Sequence, residues 1–241
     1  MGRHLWIPLL LITAAACAQQ NFASLSFGTS LPLTAYADEG DLSATGYAYP
    51  GAAIKFDAGY FPVSYLGIGG SFSFGSNLAN RDSMLGDMIR YVESHASEPL
   101  AIPEEEAIMY GSDFWNYISL FTGPQFSLRP ARRIYLDFRA LVGVTVQRPP
   151  DQDLQVSFDG TQLLARVSNN SVSLGFTAGG GMRFTLNPAI ALRLGVDYFQ
   201  SRSRFGYSFD LLRGMEEEIP DIESDLVIRT LELSAGLAYS F

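Results

Sequence analysis

The chain has 241 residues, with 16 Lys and Arg set against 25 Asp and Glu and a formal net charge of −9. That length suits one large all-β domain or two small ones, and the acid excess leaves no means of assembling a basic face for nucleic acid. The 17 Phe, 12 Tyr and 23 Gly favour strands and close backbone packing over helices.

Residues 1–18 read as an export signal. Arg3 and His4 form a short positive region and Leu5–Ala16 an apolar core. Ala16 and Ala18 then supply the A-x-A pattern that predicts cleavage after Ala18, leaving a mature domain of 19–241. A competing reading makes Cys17 a lipidated first residue, although Ala14 stands where such sites usually carry a larger aliphatic. Cys17 is the only cysteine, so an exported domain of this size must hold together without disulfides. No later stretch has the ~18 unbroken apolar residues of a membrane helix.

Along the mature chain, side-chain alternation predicts strands at roughly 21–33, 51–61, 64–76 and 114–128. In the third of these, Leu66, Ile68, Phe72 and Phe74 share one face while glycines and serines take the other. The pattern sharpens in the second half. Ile134–Val146 sets Leu136, Phe138, Val142 and Val144 against Tyr135, Asp137, Arg139 and Thr145. Val172–Leu186, Ile190–Phe199 and Leu231–Phe241 repeat it, the last with Leu237, Tyr239 and Phe241 on one face. A period of two sustained this long is a strand signal, and eight strands of roughly 10–16 residues exceed the ~5–6 typical of soluble sheets.

The connections alternate in length. Phe61–Ser64, Arg129–Arg132 and Asn187–Ala189 are tight and each holds a proline, whereas 34–50, 77–113, 148–170 and 203–226 are long and polar. Eight up-and-down strands then put every long loop at one end and every short turn at the other, the asymmetry of bacterial outer-membrane barrels. The segments LGIGGSFSFGSN, LFTGPQFSL, IYLDFRALVGV and LSAGLAYSF, with the signal ending AQQ, resemble the small eight-stranded outer-membrane β-barrel proteins, the porin-family and OmpA/OmpX-like barrels. The resemblance implies an all-β, antiparallel, up-and-down transmembrane barrel in the outer membrane of a Gram-negative bacterium. It further implies that Leu237, Tyr239 and the terminal Phe241 act as an assembly signal read by the barrel-insertion machinery. It implies little about activity, because this fold hosts anchors, adhesins, small transporters and a few lipid-modifying enzymes.

With the polar face of each strand assigned to the lumen, Lys55, Arg139, Arg183 and Arg193 point inward, as do Asp57, Asp137, Asp197 and Glu232. Four against four suits a mutual network in an interior with room only for side chains or one small ligand; the alternative is a gated ion path. The glycines of Thr177–Phe184 lie inside a strand pattern with no following helix, so they read as packing rather than a nucleotide loop.

In the longest loop, Arg81–Ala96 carries Met84, Leu85, Met88, Ile89 and Val92 at helical spacing, with Asp82 as a candidate cap. That predicts a short helix over the barrel mouth, or a ligand-binding lid. His95, the sole mature histidine, stands beside Ser94 and Glu93, and neighbours in sequence rarely converge on one reacting atom. No catalytic, cofactor or metal residues are therefore assigned. The acidic stretches Ala37–Asp41, Pro103–Glu106 and Met215–Asp225 read as solvated faces, with divalent bridging to lipopolysaccharide as a weaker alternative.

The sequence thus points to a non-enzymatic surface structural or adhesion-type barrel acting through its loops, with outer-membrane lipid, lipopolysaccharide and the assembly machinery as partners. A narrow pore for a small solute is the alternative, and a lipid-modifying enzyme centred on His95 a third reading.

Overall fold

The last strand pairs with the first, and that pairing closes the molecule. The structure, a computed structural model, describes residues 21–95, 102, 107–111, 113–150, 152–158, 161–168, 170–213 and 220–241. The expected signal segment, Ala16, Cys17 and Ala18 included, lies outside the described residues, as do Ala96, Pro103–Glu106 and 215–219.

In chain order the strands are β1 (Phe22–Pro32), β2 (Ala48–Tyr60), β3 (Leu66–Ala79), β4 (Ala107–Gly111), β5 (Phe114–Ala131) and β6 (Ile134–Arg148). They continue with β7 (Gln152–Phe158), β8 (Thr161–Ser168), β9 (Ser171–Thr185), β10 (Ile190–Arg213) and β11 (Ile222–Ser240), and one helix, α1 (Arg81–His95), follows β3. Eight of them form an antiparallel ring in the order β1-β2-β3-β5-β6-β9-β10-β11, and β11 returns to β1. The closing register runs from Phe22 opposite Ser240 to Pro32 opposite Thr230. Closure leaves no unpaired edge inside the ring, the condition for a sheet to cross lipid.

The side chains are arranged inside out relative to a soluble barrel. Leu174 (79%), Leu120 (65%) and Ile68 (62%) are exposed outside, whereas Arg183 and Asp197 are 1% exposed within. On β10 the outward residues are Ile190, Leu192, Leu194, Val196 and Tyr198, after which Gln200, Arg202 and Arg204 follow. The apolar stretch is about nine residues long, within the ~9–11 that a tilted strand needs to cross a bilayer. The molecule is an eight-stranded transmembrane β-barrel, with short turns at one end and long connections at the other.

Three of the expected loops, 77–113, 148–170 and 203–226, are partly sheet. β10 runs for 24 residues and β11 for 19, and they stay paired up to Tyr207 and Ile222. β9 leaves β10 after Gly175 and Ser201, which frees one edge of β10 above the apolar belt. The hairpin β7–β8 fills that edge from Gly206 onward, and β4 adds to β7. An edge of unpaired N–H and C=O groups recruits whatever strand is within reach, so segments 148–170 and 203–226 continue the sheet above the lipid.

The expected helix forms. α1 buries Met84, Met88, Ile89 and Val92 and half-buries Leu85 in a cluster with Tyr36, Tyr47, Trp115, Phe205 and Leu226, across the long-loop end of the ring. Its cap differs from the expectation. Asn80, not Asp82, starts the helix: its Oδ1 accepts the Ser83 N–H (3.4 Å) and its carbonyl the Met84 N–H (3.1 Å). Asp82 sits inside the first turn, where its charge suits the helix dipole. Replacing Asn80 with Ala should cost about 1 kcal/mol of local stability. Faster limited proteolysis within 81–95, with an unchanged cold-versus-boiled gel shift, is the expected reading.

Candidate functional site

The strand register brings the eight inward charges into two groups. Arg183 and Asp137 pair near the short-turn end, Nε to Oδ2 at 2.6 Å and Nη2 to Oδ1 at 2.9 Å. The guanidinium lies 4.0 Å over the Phe22 ring and donates to Ser127 Oγ (3.1 Å). The other six residues form one continuous cluster. Asp57 accepts from Arg139 Nη1 (2.6 Å), from Arg193 Nη1 and from Ser71 Oγ (2.7 Å). Asp197 takes both Nε (2.9 Å) and Nη2 (2.7 Å) of Arg139, and also Lys55 Nζ (2.7 Å). Lys55 continues to Glu232 at 2.6 Å.

All eight are buried, and the count of four cations and four anions leaves the interior neutral. Burying a charge is costly unless it is paired and hydrogen-bonded, and each carboxylate here meets at least one cation. The glycines of β9 make room for this packing: a Cβ at Gly179 would fall 2.3 Å from Asp197 Oδ1.

Several lumen residues carry no charge and so fall outside an inventory of charges. Tyr117 donates to Glu232 Oε1 (2.6 Å), and Gly75 clears its path, since a Cβ there would lie 2.0 Å from Tyr117 Cζ. Strand parity is the signal that finds Tyr117, together with Ser24, Ser30, Ser71 and Asn77, on the inward face. The interior is also less uniformly polar than expected. Above the ion network Phe199 stacks on Tyr117 (5.2 Å between ring centroids) and tilts against Phe121 (5.9 Å). Ser119 to Thr145 at 3.2 Å and Gln147 to Ser201 add polar contacts at this level, while Phe199 and Phe121 belong to one buried apolar cluster with Trp115 and α1. Salt bridges, then aromatics and hydroxyls, then α1 therefore occupy the bore.

The cap is tied down at several points. Tyr47 donates to Asp87 of α1, Trp115 Nε1 donates to the Gly46 carbonyl (2.8 Å), and Tyr91 donates to the Pro220 carbonyl (3.2 Å). Glu39 accepts from Asn80 Nδ2 (2.7 Å), and Asp41 binds the Ser43 amide (2.8 Å) and hydroxyl (2.6 Å). These carboxylates of the first acidic stretch are engaged internally. Asp225, from the third, pairs with Arg202 and Arg204. Among the described residues no group of three His, Cys, Asp or Glu converges as a metal site.

Ser94 Oγ and His95 Nδ1 do meet, at 3.0 Å, on the exposed end of α1. The same nitrogen lies 2.9 Å from the Tyr91 carbonyl, and Glu93 turns away to accept the Ile102 N–H at 2.8 Å. The three neighbours in sequence do not assemble into a relay.

No protein-family model and no curated protein matches the chain. Solved structures do resemble it. The outer membrane protein OprG from Pseudomonas aeruginosa is 12% identical, over 92% of this chain and 95% of that one, with a TM-score of 0.48. A major outer membrane protein from Thermus thermophilus is 12% identical, over 92% and 99%, at 0.46. Ail, the attachment invasion locus protein of Yersinia pestis, is 14% identical, over 92% and 99%, at 0.38. The barrel assignment rests on the closed ring and its apolar exterior.

Two outcomes follow. Asp57→Ala leaves Arg139 and Arg193 facing each other without their shared carboxylate and should cost about 3–5 kcal/mol, read as a lower urea midpoint for the refolded barrel. Burial raises the Tyr36, Tyr47 and Tyr207 phenols above their ordinary value, Tyr47 also through its bond to Asp87 and Tyr207 through the nearby Tyr47 and Asp87 charges. A phenol with a raised folded pKa stabilises the closed cap fully below the free value of ~10, and that contribution is lost as pH rises beyond it. Protease sensitivity of α1 should therefore increase above about pH 10, together with phenolate absorbance. The Tyr36 and Tyr207 hydroxyls have no hydrogen-bond partner among the described residues, so Tyr36→Phe with Tyr207→Phe should flatten the rise without loosening the cap at neutral pH.

Proposed function

We propose that this protein is a non-conducting integral outer-membrane barrel whose work is done at the long-loop end, as a surface structural or adhesion-type protein. One observation carries the reading: a bore occupied by a neutral ion network and aromatic rings and covered by α1. Such a bore is poorly suited to passing ions or solutes, whereas a sheet continued above the belt offers a rigid surface to a partner. In this reading the mature domain begins at residue 19, and the apolar exterior contacts outer-membrane lipid and lipopolysaccharide. Leu237, Tyr239 and Phe241, all exposed at the short-turn end, serve the assembly machinery during insertion. In this reading the chain has no catalytic role, and among the described residues no carboxylate orients Ser94 and His95.

Planar-bilayer recording of the refolded barrel, checked for a cold-versus-boiled gel shift, tests the reading. We expect a shifted band with no conductance. Deletion of 81–95 should leave the bilayer silent, because the ion network lies below the cap. Steady stepwise conductance in the intact protein would overturn the proposal in favour of a narrow pore.

A further inference from the structure

The bore has a second mouth, at the short-turn end, away from the one that α1 covers. A cleft of about 370 Å³ opens there, lined by Arg129 near the end of β5, Arg133 in the following turn, Tyr135 of β6, Thr185 of β9 and Ser240 of β11. In the strand registers Tyr135 stands opposite Arg183 and Ser240 opposite Phe22. These walls therefore belong to inward faces, and the cleft leads into the bore.

From this mouth guanidiniums and aromatic rings alternate inward. Arg129 lies 5.2 Å over the Tyr135 ring, which also meets Arg183 at 4.9 Å, and the Phe22 ring meets both Arg183 (4.0 Å) and Arg193 (5.3 Å). The two inner cations have carboxylates of their own, Asp137 for Arg183 and Asp57 for Arg193. The two outer ones, Arg129 and Arg133, pair with no carboxylate among the described residues. Arg129 donates Nη2 to the Arg132 carbonyl (2.7 Å), and this bond and the Tyr135 ring hold its guanidinium at the rim.

We infer that this mouth binds the phosphate group of a small soluble phosphate monoester. The short turns of outer-membrane barrels face the periplasm, so the solute enters from that side. A phosphate monoester carries about −1.5 to −2 charge at neutral pH, which matches two unpaired guanidiniums, and arginine forks bind phosphate oxygens bidentately. The Thr185 and Ser240 hydroxyls add donors from the opposite walls. A carboxylate, with one charge and two oxygens, satisfies one fork and leaves the other cation alone. The volume lies within the ~300–1,000 Å³ of small-molecule sites and leaves room for a short organic remainder against Tyr135. The solute goes no deeper, because the Arg183–Asp137 pair and the ion network occupy the bore behind it. The site is thus separate from the long-loop surface and consistent with a silent bilayer.

The test titrates the refolded barrel in nonionic detergent with glycerol phosphate, inorganic phosphate or acetate, read by calorimetry at neutral pH and constant ionic strength. Glycerol phosphate should saturate one site per barrel and bind at least as tightly as inorganic phosphate, with acetate about tenfold weaker or more. Arg129→Gln with Arg133→Gln should weaken glycerol phosphate by about tenfold to a hundredfold, whereas Arg81→Gln, at the long-loop end, should leave it unchanged. The gel shift verifies that each variant is folded, and Arg133→Gln alone serves if the double variant is not. The inference is overturned by the absence of saturable binding, by acetate binding as tightly as the phosphates, or by an unchanged affinity in the glutamine variant. Tighter binding of bare phosphate than of the monoester overturns it too, as does an equal loss in Arg81→Gln, which would put the anion at the other end of the barrel.

Discussion

A backbone inside hydrocarbon has no solvent to bond, and every other feature of this molecule follows from that constraint. The ring of eight strands satisfies it only because β11 returns to β1 residue by residue, from Ser240 opposite Phe22 to Thr230 opposite Pro32. Once the sheet is closed, each strand has one face for lipid and one for the bore, and the period of two divides the sequence between them. Aliphatic and aromatic residues go outward. Small and charged residues go inward, where Asp57, Asp197 and Glu232 meet Lys55, Arg139 and Arg193.

The interior then has to be filled. Water in so narrow a bore would solvate these charges poorly, so they solvate one another. Arg139 bridges Asp57 and Asp197, and Lys55 bridges Asp197 and Glu232, so removal of either cation disturbs two partners. The short side chains at Gly75 and Gly179 are part of the same solution, since Tyr117 and Asp197 occupy the space that a Cβ would take. Above this layer, Phe199, Phe121, Trp115 and α1 complete the seal with apolar contacts instead of charge.

The sequence is most readable where lipid makes the strictest demand. Alternation in Ile134–Val146, Val172–Leu186 and Leu231–Phe241 is long because both faces are constrained, and parity alone places the eight inward charges. Tyr117 has the same parity, but a search for formal charge does not find it. Above the belt the alternation is short, as in Leu154, Val156 and Phe158 of β7, so it does not separate a strand from a polar loop, and the pairing of β7 and β8 depends on the edge of β10 freed by the departure of β9. The helix start is ambiguous in sequence because Asn80 and Asp82 are both good caps. The one whose side chain reaches the Ser83 amide is the residue that also meets Tyr49 and Glu39.

The length of β10 and β11 has a mechanical consequence. A pull applied at their outer tips runs parallel to both strands and into a ring where each is bonded on two sides. Interstrand hydrogen bonds lie perpendicular to that direction, so the load shears many bonds at once instead of unzipping them one after another. Tension from outside the cell is thus carried by the wall of the barrel, together with the salt bridges that tie Asp197 of β10 and Glu232 of β11 to Lys55 of β2.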